Sequence, residues 1–376
     1  MDLALRKIVD VRTGAGARYP VFAGDDLGAF FRQAWRPACR QAVIIGDDNT
    51  AALFGDAVQQ ALPAPGPSVL RLSFAAGELH KTRETKARLE DAMLDAGIER
   101  GACVIGVGGG IALDMAGFVA ATFLRGIPVI HVATSLLAQV DASVGGKTAV
   151  NTPHGKNLIG AFHAPSAVLL ATGALASLPP EEYRNGLAEV VKMAVIGDAL
   201  LFATLEQIAR EPGAALPQSS IERCVQLKAD VVGADEHESG LRQILNFGHT
   251  IAHAVESGSA HSVAHGSAVA FGMLVEARAA ESLVGLPAEQ RARIDRVVDG
   301  LGLAAFDPPP FDRVAPLLGS DKKTRDGLVR CALPVRLGVM DEADGQYARP
   351  VSIETLRQSW TRALSETRAA RGGGGR

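Results

Sequence analysis

The chain has 376 residues, of which 47% are hydrophobic, so it can bury a large core, and we expect two domains. Its formal net charge is only −3 and it has no long basic run, which argues against nucleic acid or an anionic membrane as a partner. We therefore expect a globular protein that binds any anionic substrate through local lysines and arginines.

The cysteines and apolar runs bear on the compartment. The four cysteines are scattered and form no CxxC pair, which favours neither a thiolate zinc site nor a disulfide scaffold. No run of eighteen apolar residues occurs, and the amino terminus has no export-signal pattern. We expect a cytoplasmic protein without a membrane partner.

The first half of the chain alternates short β-rich runs with amphipathic stretches. Five runs predict strands: Ala42 to Ile45, Val69 to Leu72, Val104 to Val107, Val129 to Val132 and Val168 to Leu170. Apolar strands separated by helices are typical of a parallel sheet that is covered on both faces. Residues 1–179 are therefore predicted to form an α/β, Rossmann-like nucleotide-binding domain.

Helical periodicity replaces this pattern after Pro179 and Pro180. Four segments carry it: Glu182 to Met193, Leu200 to Ala209, Ile221 to Val232 and Ala268 to Leu283. Residues 180–366 are predicted to form a mainly α-helical domain, and the low-complexity residues 367–376 a disordered tail.

A glycine-rich turn, Gly108 to Gly110, joins a predicted strand to a predicted helix. Such a turn lets backbone amides approach a phosphate or pyrophosphate, although it is also a common structural device and the spacing is not GxGxxG. Asp114 on the helix, and Asp47 and Asn49 after an earlier strand, are candidates to bind a ribose.

The segment from Val140 to Asn157 is rich in anion-binding residue types. It contains Asp141, the pair Gly145 and Gly146, Lys147, Lys156 and Asn157. The run Gly-Gly-Lys-Thr resembles the end of a P-loop but lacks the first glycine, so we reject a Walker motif. Arg125 is a further candidate phosphate ligand, or simply a solvated cation at a helix end.

Four of the nine histidines fall within seventeen residues: His249, His253, His261 and His265. If 248–256 is helical, the first two project from one face and can converge on a metal or a substrate. A zinc-protease helix is excluded because Thr250 stands where that motif needs a glutamate. The histidines therefore need a carboxylate from elsewhere in the chain.

Glu189 is the candidate carboxylate. It lies three residues before Lys192 on a predicted helix, and an exposed ion pair would also explain this spacing. With His249 and His265 it would give three protein ligands and one open position, as in catalytic zinc sites. Further polar candidates are Lys228, Glu238, Arg242 and Asn246 before His249, and Asp321, Lys322 and Lys323 near the end.

Taken in order, several segments resemble the 3-dehydroquinate synthase family of the sugar phosphate cyclases. They are GVGGGIALDMAGFVAATFLRGIP, LLAQVDASVGGKTAVNTPHGKNLIGAFHAP, NGLAEVVKM, LKADVVGADEHESGLRQILNFGHTIAHAVE and DKK. The similarity covers roughly residues 5 to 340. It implies an NAD-binding α/β domain, an α-helical domain, a zinc or cobalt ion and, as a rule, a homodimer.

The resemblance implies a lyase that converts 3-deoxy-D-arabino-heptulosonate 7-phosphate to 3-dehydroquinate and phosphate. NAD would be reduced and reoxidised within one turnover, which would belong to the shikimate route to chorismate and aromatic amino acids. The alternatives are another sugar phosphate cyclase, of the 2-deoxy-scyllo-inosose, valiolone or amino-dehydroquinate synthase type, or a metal-dependent polyol dehydrogenase. A non-catalytic NAD-binding relative is disfavoured because the metal and lysine sets are complete.

The resemblance also assigns residues by position. The metal ligands would be Glu189, His249 and His265. The NAD contacts would include Asp47, Asn49, Glu78, Lys81, Gly108, Gly109, Gly110, Asp114, Thr134, Ser135, Lys147, Lys156 and Ser177. Substrate would be bound by Asp141, Lys147, Asn157, Lys228 and Lys323, and by Arg125, which could serve the site of a neighbouring subunit. The catalytic group would comprise Lys192, His253, Glu238, Arg242 and Asn246.

Three positions depart from the family's common residues. Ser135 replaces a threonine in a Pro-Thr-Thr run, Ser267 replaces the glutamate of His-Gly-Glu, and Thr172 replaces an aspartate. Serine keeps the hydroxyl at 135, so NAD binding is little affected. Loss of a carboxylate at 267 is expected to alter metal affinity or the tautomer of His265.

Overall fold

The computed structural model describes residues 4–372, except 15, 212, 261 and 319–327. The chain divides into two compact units. The sheet unit extends to Tyr183 and includes Lys228–Gly233, and the helical unit comprises Arg184–Leu227 and the chain from Ala234 onward. The division falls a few residues after the boundary at 179/180 that the sequence predicts.

The sheet unit is built on seven strands in the order β1-β2-β9-β6-β5-β3-β4. They are β1 Arg6–Arg12, β2 Arg18–Ala23, β3 Gln41–Asp47, β4 Ser68–Phe74, β5 Ala102–Gly108, β6 Val129–Ala133 and β9 Ala167–Leu170. All neighbours run parallel except β1 and β2, which are antiparallel. The five predicted strands correspond to β3, β4, β5, β6 and β9, which confirms the α/β class.

The central strands are buried on both faces, because their alternate side chains enter two separate cores. The helices of the sheet unit are α1 Leu27–Ala34, α2 Asp48–Gln60, α3 Arg83–Asp95 and α4 Gly110–Thr122. Val43 and Val104 pack in a core with α3 and α4, and Ile44 and Ile105 pack in a core with α1 and α2. This two-sided burial explains why the strands read as continuous apolar runs.

A hairpin that the sequence does not predict follows β6. A π-helix, Ala138–Ala142, leads to β7 Lys147–Thr152 and β8 Gly155–Phe162, which pair antiparallel. The segment 140–157, which is rich in anion-binding residue types, is therefore mostly regular structure. Its glycines and polar residues interrupt the alternation of apolar and polar residues by which strands are recognised in a sequence.

The helical unit confirms the predicted mainly α-helical domain. Its helices, of which α5 and α7 also contribute residues to the sheet unit, are α5 Pro180–Gly197, α6 Ala199–Arg210, α7 Gln218–Ala234, α8 His249–Gly258, α9 His265–Leu283, α10 Ala288–Gly300, α11 Phe311–Val314 and α12 Ile353–Gly372. Four short strands complete it, β10 Leu328–Cys331 with β13 Arg349–Ser352, and β11 Pro334–Arg336 with β12 Val339–Met340. Helix α12 continues into the segment 367–376 for which the sequence predicts a tail.

Helices α8 and α9 cross at two glycines. Gly248, the residue before α8, has a left-handed φ of 81°, which favours glycine. A Cβ on Gly272 of α9 would lie only 1.9 Å from the Gly248 carbonyl oxygen. Any larger residue at 272 would push the helices apart, so this crossing fixes where α8 begins relative to α9.

Within the described part of the chain, no helix combines the length and apolar character needed to cross a membrane.

Candidate metal centre and cofactor site

The helical unit brings together the three residues predicted to bind a metal. Glu189 lies on α5, and His249 and His265 are the first residues of α8 and α9. Their candidate ligand atoms all lie within 4.8 Å of one another. Glu189 Oε1 is 3.2 Å from His265 Nε2 and 3.5 Å from His249 Nε2. One carboxylate and two imidazoles suit zinc or cobalt and leave coordination positions for substrate or water.

Burial and neighbouring charged side chains shift the pKa values of the two candidate histidine ligands. Glu189 is only 1% exposed, and Lys192 Nζ lies 2.6 Å from its Oε2, so the predicted pair is buried rather than solvated. Burial lowers the pKa of His249 to about 3, although Glu189 opposes the shift. Burial also acts to lower the pKa of His265, but hydrogen bonds to Glu189 and Glu256 outweigh it and raise that pKa to about 10. His249 is thus a neutral imidazole, the form that binds metals.

Buried groups that the sequence reasoning missed support the three side chains. Glu276 of α9 accepts hydrogen bonds from the backbone of Gly248 (2.8 Å) and Ile251 (3.4 Å), and so stabilises the amino end of α8. The Asn185 side chain accepts from the Gly266 amide at 3.2 Å, next to His265. The sequence gives one indication of the role of Glu276, which is a glutamate inside a mostly apolar helical stretch.

Other predicted residues lie on or near the same helices. The rings of His253 and His249 are 5.6 Å apart, centre to centre, so the spacing of four does bring both to one face of α8. Asn246 donates to Glu238, whose φ of 62° is left-handed. Arg242 is buried and donates to the Glu236 carbonyl oxygen at 2.5 Å.

The glycine turn of the sheet unit has the predicted strand-to-helix geometry. Gly108 ends β5 with a φ of 147°, and Gly109 precedes the first turn of α4. A Cβ on Gly108 would lie 2.7 Å from that of Ala112, so the turn has no room for a side chain there. The amino end of α4 therefore presents backbone amides without a capping side chain, which suits a pyrophosphate.

Two buried lysines of the sheet unit are paired with carboxylates. Lys81, 4% exposed, donates to Asp114 and, at 2.6 Å, to Asn157 Oδ1. Burial raises the pKa of Asp114, while Lys81 opposes the rise. Lys228 donates to both the side chain and the backbone carbonyl of Asp141. Cofactor and substrate candidates from distant parts of the sequence thus meet in this unit.

The remaining cofactor candidates have identifiable local partners. Glu78 accepts from Asn151 at 2.6 Å and lies 4.0 Å from Lys156 Nζ. Asp47 caps α2 by accepting from the Asn49 and Thr50 amides. Ser135 accepts from the Ala138 amide and Ser177 donates to the Ala174 carbonyl. Thr134 is buried, whereas Lys147 and Arg125 are exposed.

Thr172, one of the departures from the family pattern, contacts a carboxylate. It donates to Asp25 Oδ1 at 3.3 Å, and the same oxygen accepts from the Gly173 amide at 2.6 Å. Four candidates lie outside the described residues: His261, Asp321, Lys322 and Lys323.

Comparison with known proteins agrees with this combination of fold and side chains. Residues 71–185 match the model of the 3-dehydroquinate synthase amino-terminal domain, and 186–324 match that of the carboxy-terminal domain. A 3-dehydroquinate synthase of Thermosynechococcus vestitus is 44% identical over 326 residues, covering 85% of this chain and 87% of that protein.

Two solved structures share the architecture. A 2-deoxy-scyllo-inosose synthase with carbaglucose-6-phosphate, NAD+ and Co2+ gives a TM-score of 0.86 at 24% identity, covering 95% of this chain and 99% of that one. The 2-epi-5-epi-valiolone synthase of Streptomyces hygroscopicus subsp. jinggangensis 5008, with NAD+ and Zn2+ bound, gives 0.81 at 28% identity, covering 93% and 98%.

The chain shares the fold of these two sugar phosphate cyclases, whose structures hold NAD+ and Co2+ or Zn2+, and it carries a group of side chains that could hold a metal ion. Within that class the chain belongs to the 3-dehydroquinate synthase family. The resemblance stated from the sequence is confirmed, as are the predicted enzyme class and cofactors.

Proposed function

We propose that the chain converts 3-deoxy-D-arabino-heptulosonate 7-phosphate to 3-dehydroquinate and phosphate. The observation that carries this proposal is the convergence of Glu189, His249 and His265 in a chain whose two halves both match this family. The chemistry needs a Lewis acid beside a substrate hydroxyl, a hydride carrier and groups that move protons. The 44% identity to a relative named 3-dehydroquinate synthase favours this cyclase over its paralogues.

Glu189, His249 and His265 would hold the divalent metal. When bound, the metal polarises a substrate hydroxyl, and NAD takes up and returns the hydride, so that no net NADH forms. The ion pair from Lys192 to Glu189 keeps a cation beside the ligands, where it can orient the substrate's oxygen atoms.

Proton transfer and substrate binding are proposed for the neighbouring polar residues. His253, one turn after His249 on α8, is positioned to carry a proton during phosphate elimination, and Glu238 with Asn246 would assist it. Buried Arg242 would bind an anionic group of the substrate. Asp141, Lys147, Asn157, Lys228 and Lys323 are the other proposed substrate ligands.

The sheet unit would bind NAD. Backbone amides at Gly108 to Gly110 would bind the pyrophosphate, and Asp47, Asn49 and Asp114 would bind ribose or nicotinamide groups. The other proposed contacts are Glu78, Lys81, Thr134, Ser135, Lys147, Lys156 and Ser177.

We also propose that the enzyme is a homodimer in the cytoplasm, with neither nucleic acid nor membrane as a partner. Exposed Arg125, in a left-handed turn after α4, would then be available to a neighbouring subunit's substrate. The four cysteines all lie in the described part of the chain, are buried and form no disulfide, which suits a reducing compartment.

One assay tests the reaction. The purified chain is given the heptulosonate phosphate with NAD and a divalent metal, and phosphate release and NADH absorbance are followed together. Phosphate release without net NADH is expected. Accumulating NADH would identify a dehydrogenase instead, and turnover only with a different ketose phosphate would identify a paralogous cyclase.

A further inference from the structure

We propose that Glu256 is a positioning residue for His265, holding the imidazole so that its Nε2 faces the metal. This inference rests on the proposed metal site. It adds a residue outside the set assigned above, and it explains how a ligand that follows a loop is kept in a fixed orientation.

The His265 ring lies between two buried carboxylates. On one side, Nε2 is 3.2 Å from Glu189 Oε1, and on the other, Nδ1 is 3.4 Å from Glu256 Oε1. Glu256 lies on α8, two helical turns after His249, and is 1% exposed. One helix therefore contributes both a metal ligand and a carboxylate that contacts another ligand.

The position of this carboxylate selects the tautomer. A neutral imidazole has one N–H donor and one lone pair, and an ionised carboxylate can only accept. Glu256 therefore favours a proton on Nδ1. Nε2 hydrogen-bonds to Glu189 Oε1, and a bound metal ion would displace the Nε2 proton and take up the lone pair of this nitrogen. A carboxylate behind a ligating histidine also increases its basicity, and such partners commonly influence metal affinity.

The two histidine ligands have different partners. His249 Nδ1 lies 3.3 Å from the carbonyl oxygen of Phe247, a neutral acceptor two residues before the start of α8. His265 instead faces a charged acceptor. Glu256 is a carboxylate that contacts Nδ1 of this ring, while position 267, two residues after His265, is a serine.

Burial of Glu256 supports a role beyond packing. A buried carboxylate is costly unless it is hydrogen-bonded or paired with a charge. The equally buried Glu276 meets this requirement with backbone amides at the start of α8, whereas Glu256 contacts an imidazole of the metal group. The carboxylate therefore lies where a charge on the adjacent ligand group would offset its burial.

Zinc affinity is the decisive measurement. Competition with a chromophoric chelator is performed on the full chain and on the Glu256→Gln, Glu256→Asp and Glu206→Gln variants. Glutamine keeps the shape and loses the charge, so zinc binding should weaken roughly 10- to 100-fold. Aspartate keeps the charge one methylene farther away and should lie between. Glu206→Gln, which breaks a bidentate pair with Arg293 on α6 and α10, should bind zinc like the parent chain.

Two spectroscopic readouts separate positioning from general destabilisation. The visible absorption of the Co2+-loaded Glu256→Gln variant should change, while that of Glu206→Gln should not. In the zinc-loaded parent chain, ¹⁵N shifts of labelled histidines should assign the proton of His265 to Nδ1. This second measurement needs no variant and therefore decides the question even if Glu256→Gln fails to fold.

Zinc affinity within twofold of the parent in Glu256→Gln, or a proton on Nε2 of zinc-bound His265, would overturn the inference. The reference variant His265→Ala distinguishes this failure from failure of the metal site itself. If His265→Ala also binds zinc like the parent, the ligand assignment is wrong. If it loses zinc while Glu256→Gln does not, only the positioning role fails.

Discussion

Both units of the chain bury charged side chains, but they satisfy those charges differently. In the sheet unit, Lys81 pairs with Asp114 and Lys228 pairs with Asp141, so each buried cation has its own carboxylate. In the helical unit, Glu189 is approached by two histidines and one lysine at once. The first arrangement is neutralised within the chain, whereas the second gathers donor atoms that a bound cation would stabilise further. Dense buried charge is therefore not by itself a metal site, because the lone pairs of several ligand atoms must also converge on one point.

Loss of a metal ligand is expected to give the largest effect. Glu189→Gln, His249→Ala and His265→Ala should each lower metal-dependent turnover by roughly a thousandfold, since Lewis-acid stabilisation contributes several kcal/mol. Turnover is measured at saturating metal, with circular dichroism to verify folding. Parent-like activity in all three folded variants would contradict the ligand assignment.

The matching change in the sheet unit should affect stability instead of metal binding. Asp114→Asn leaves buried Lys81 without its carboxylate, which should lower the free energy of unfolding by about 3 kcal/mol. Urea unfolding measures the loss, and chelator competition measures zinc affinity. An unchanged unfolding free energy, or a large loss of zinc affinity, would remove the contrast between the two clusters.

Metal removal should affect the two units unequally. Zinc at a hundred times its dissociation constant stabilises the folded chain by about 2.7 kcal/mol. Hydrogen exchange with and without a chelator should therefore show metal-dependent protection in α8 and α9 and much less in β3 and β5. Glu189→Gln serves as the control, because its exchange should not respond to zinc. Equal protection of both units would contradict this local effect.

A smaller, pH-dependent effect is expected in the sheet unit. Burial lowers the pKa of His131 on β6 to about 3, from an ordinary value near 6.5. The unfolded chain therefore binds a proton that the folded chain excludes, and stability is lost as the pH falls from about 6.5 toward 3. The slope approaches about 1.4 kcal/mol per pH unit.

His131→Leu should reduce this acid sensitivity, and urea unfolding at pH 7, 5.5 and 4.5 measures it. His80→Leu is the matched control, because it removes an exposed imidazole instead of a buried one. The same pH dependence in His131→Leu as in the parent would contradict the assignment.

Much of the fold follows from local patterns. The strands β3, β4, β5, β6 and β9 were predictable because burial on both faces demands unbroken apolar runs. Helices α5, α6, α7 and α9 were predictable from their periodicity. The hairpin β7–β8 and the antiparallel pair β1–β2 were not, because antiparallel pairing depends on which strands the fold brings together.

The candidate site divides in the same way. The sequence by itself determined the residue types and their spacing: paired histidines on one helical face, a glycine turn before a helix, and a glutamate three residues before a lysine. Only the tertiary structure decided that Glu189 meets both histidines, that Lys81 meets Asp114 and Asn157, and that Glu256 lies against His265. These contacts join different secondary-structure elements, and those of the helical unit depend on close helix crossings such as that at Gly248 and Gly272. Spacing along one helix is fixed by backbone geometry, whereas the approach of two helices is fixed by packing, which no local pattern encodes.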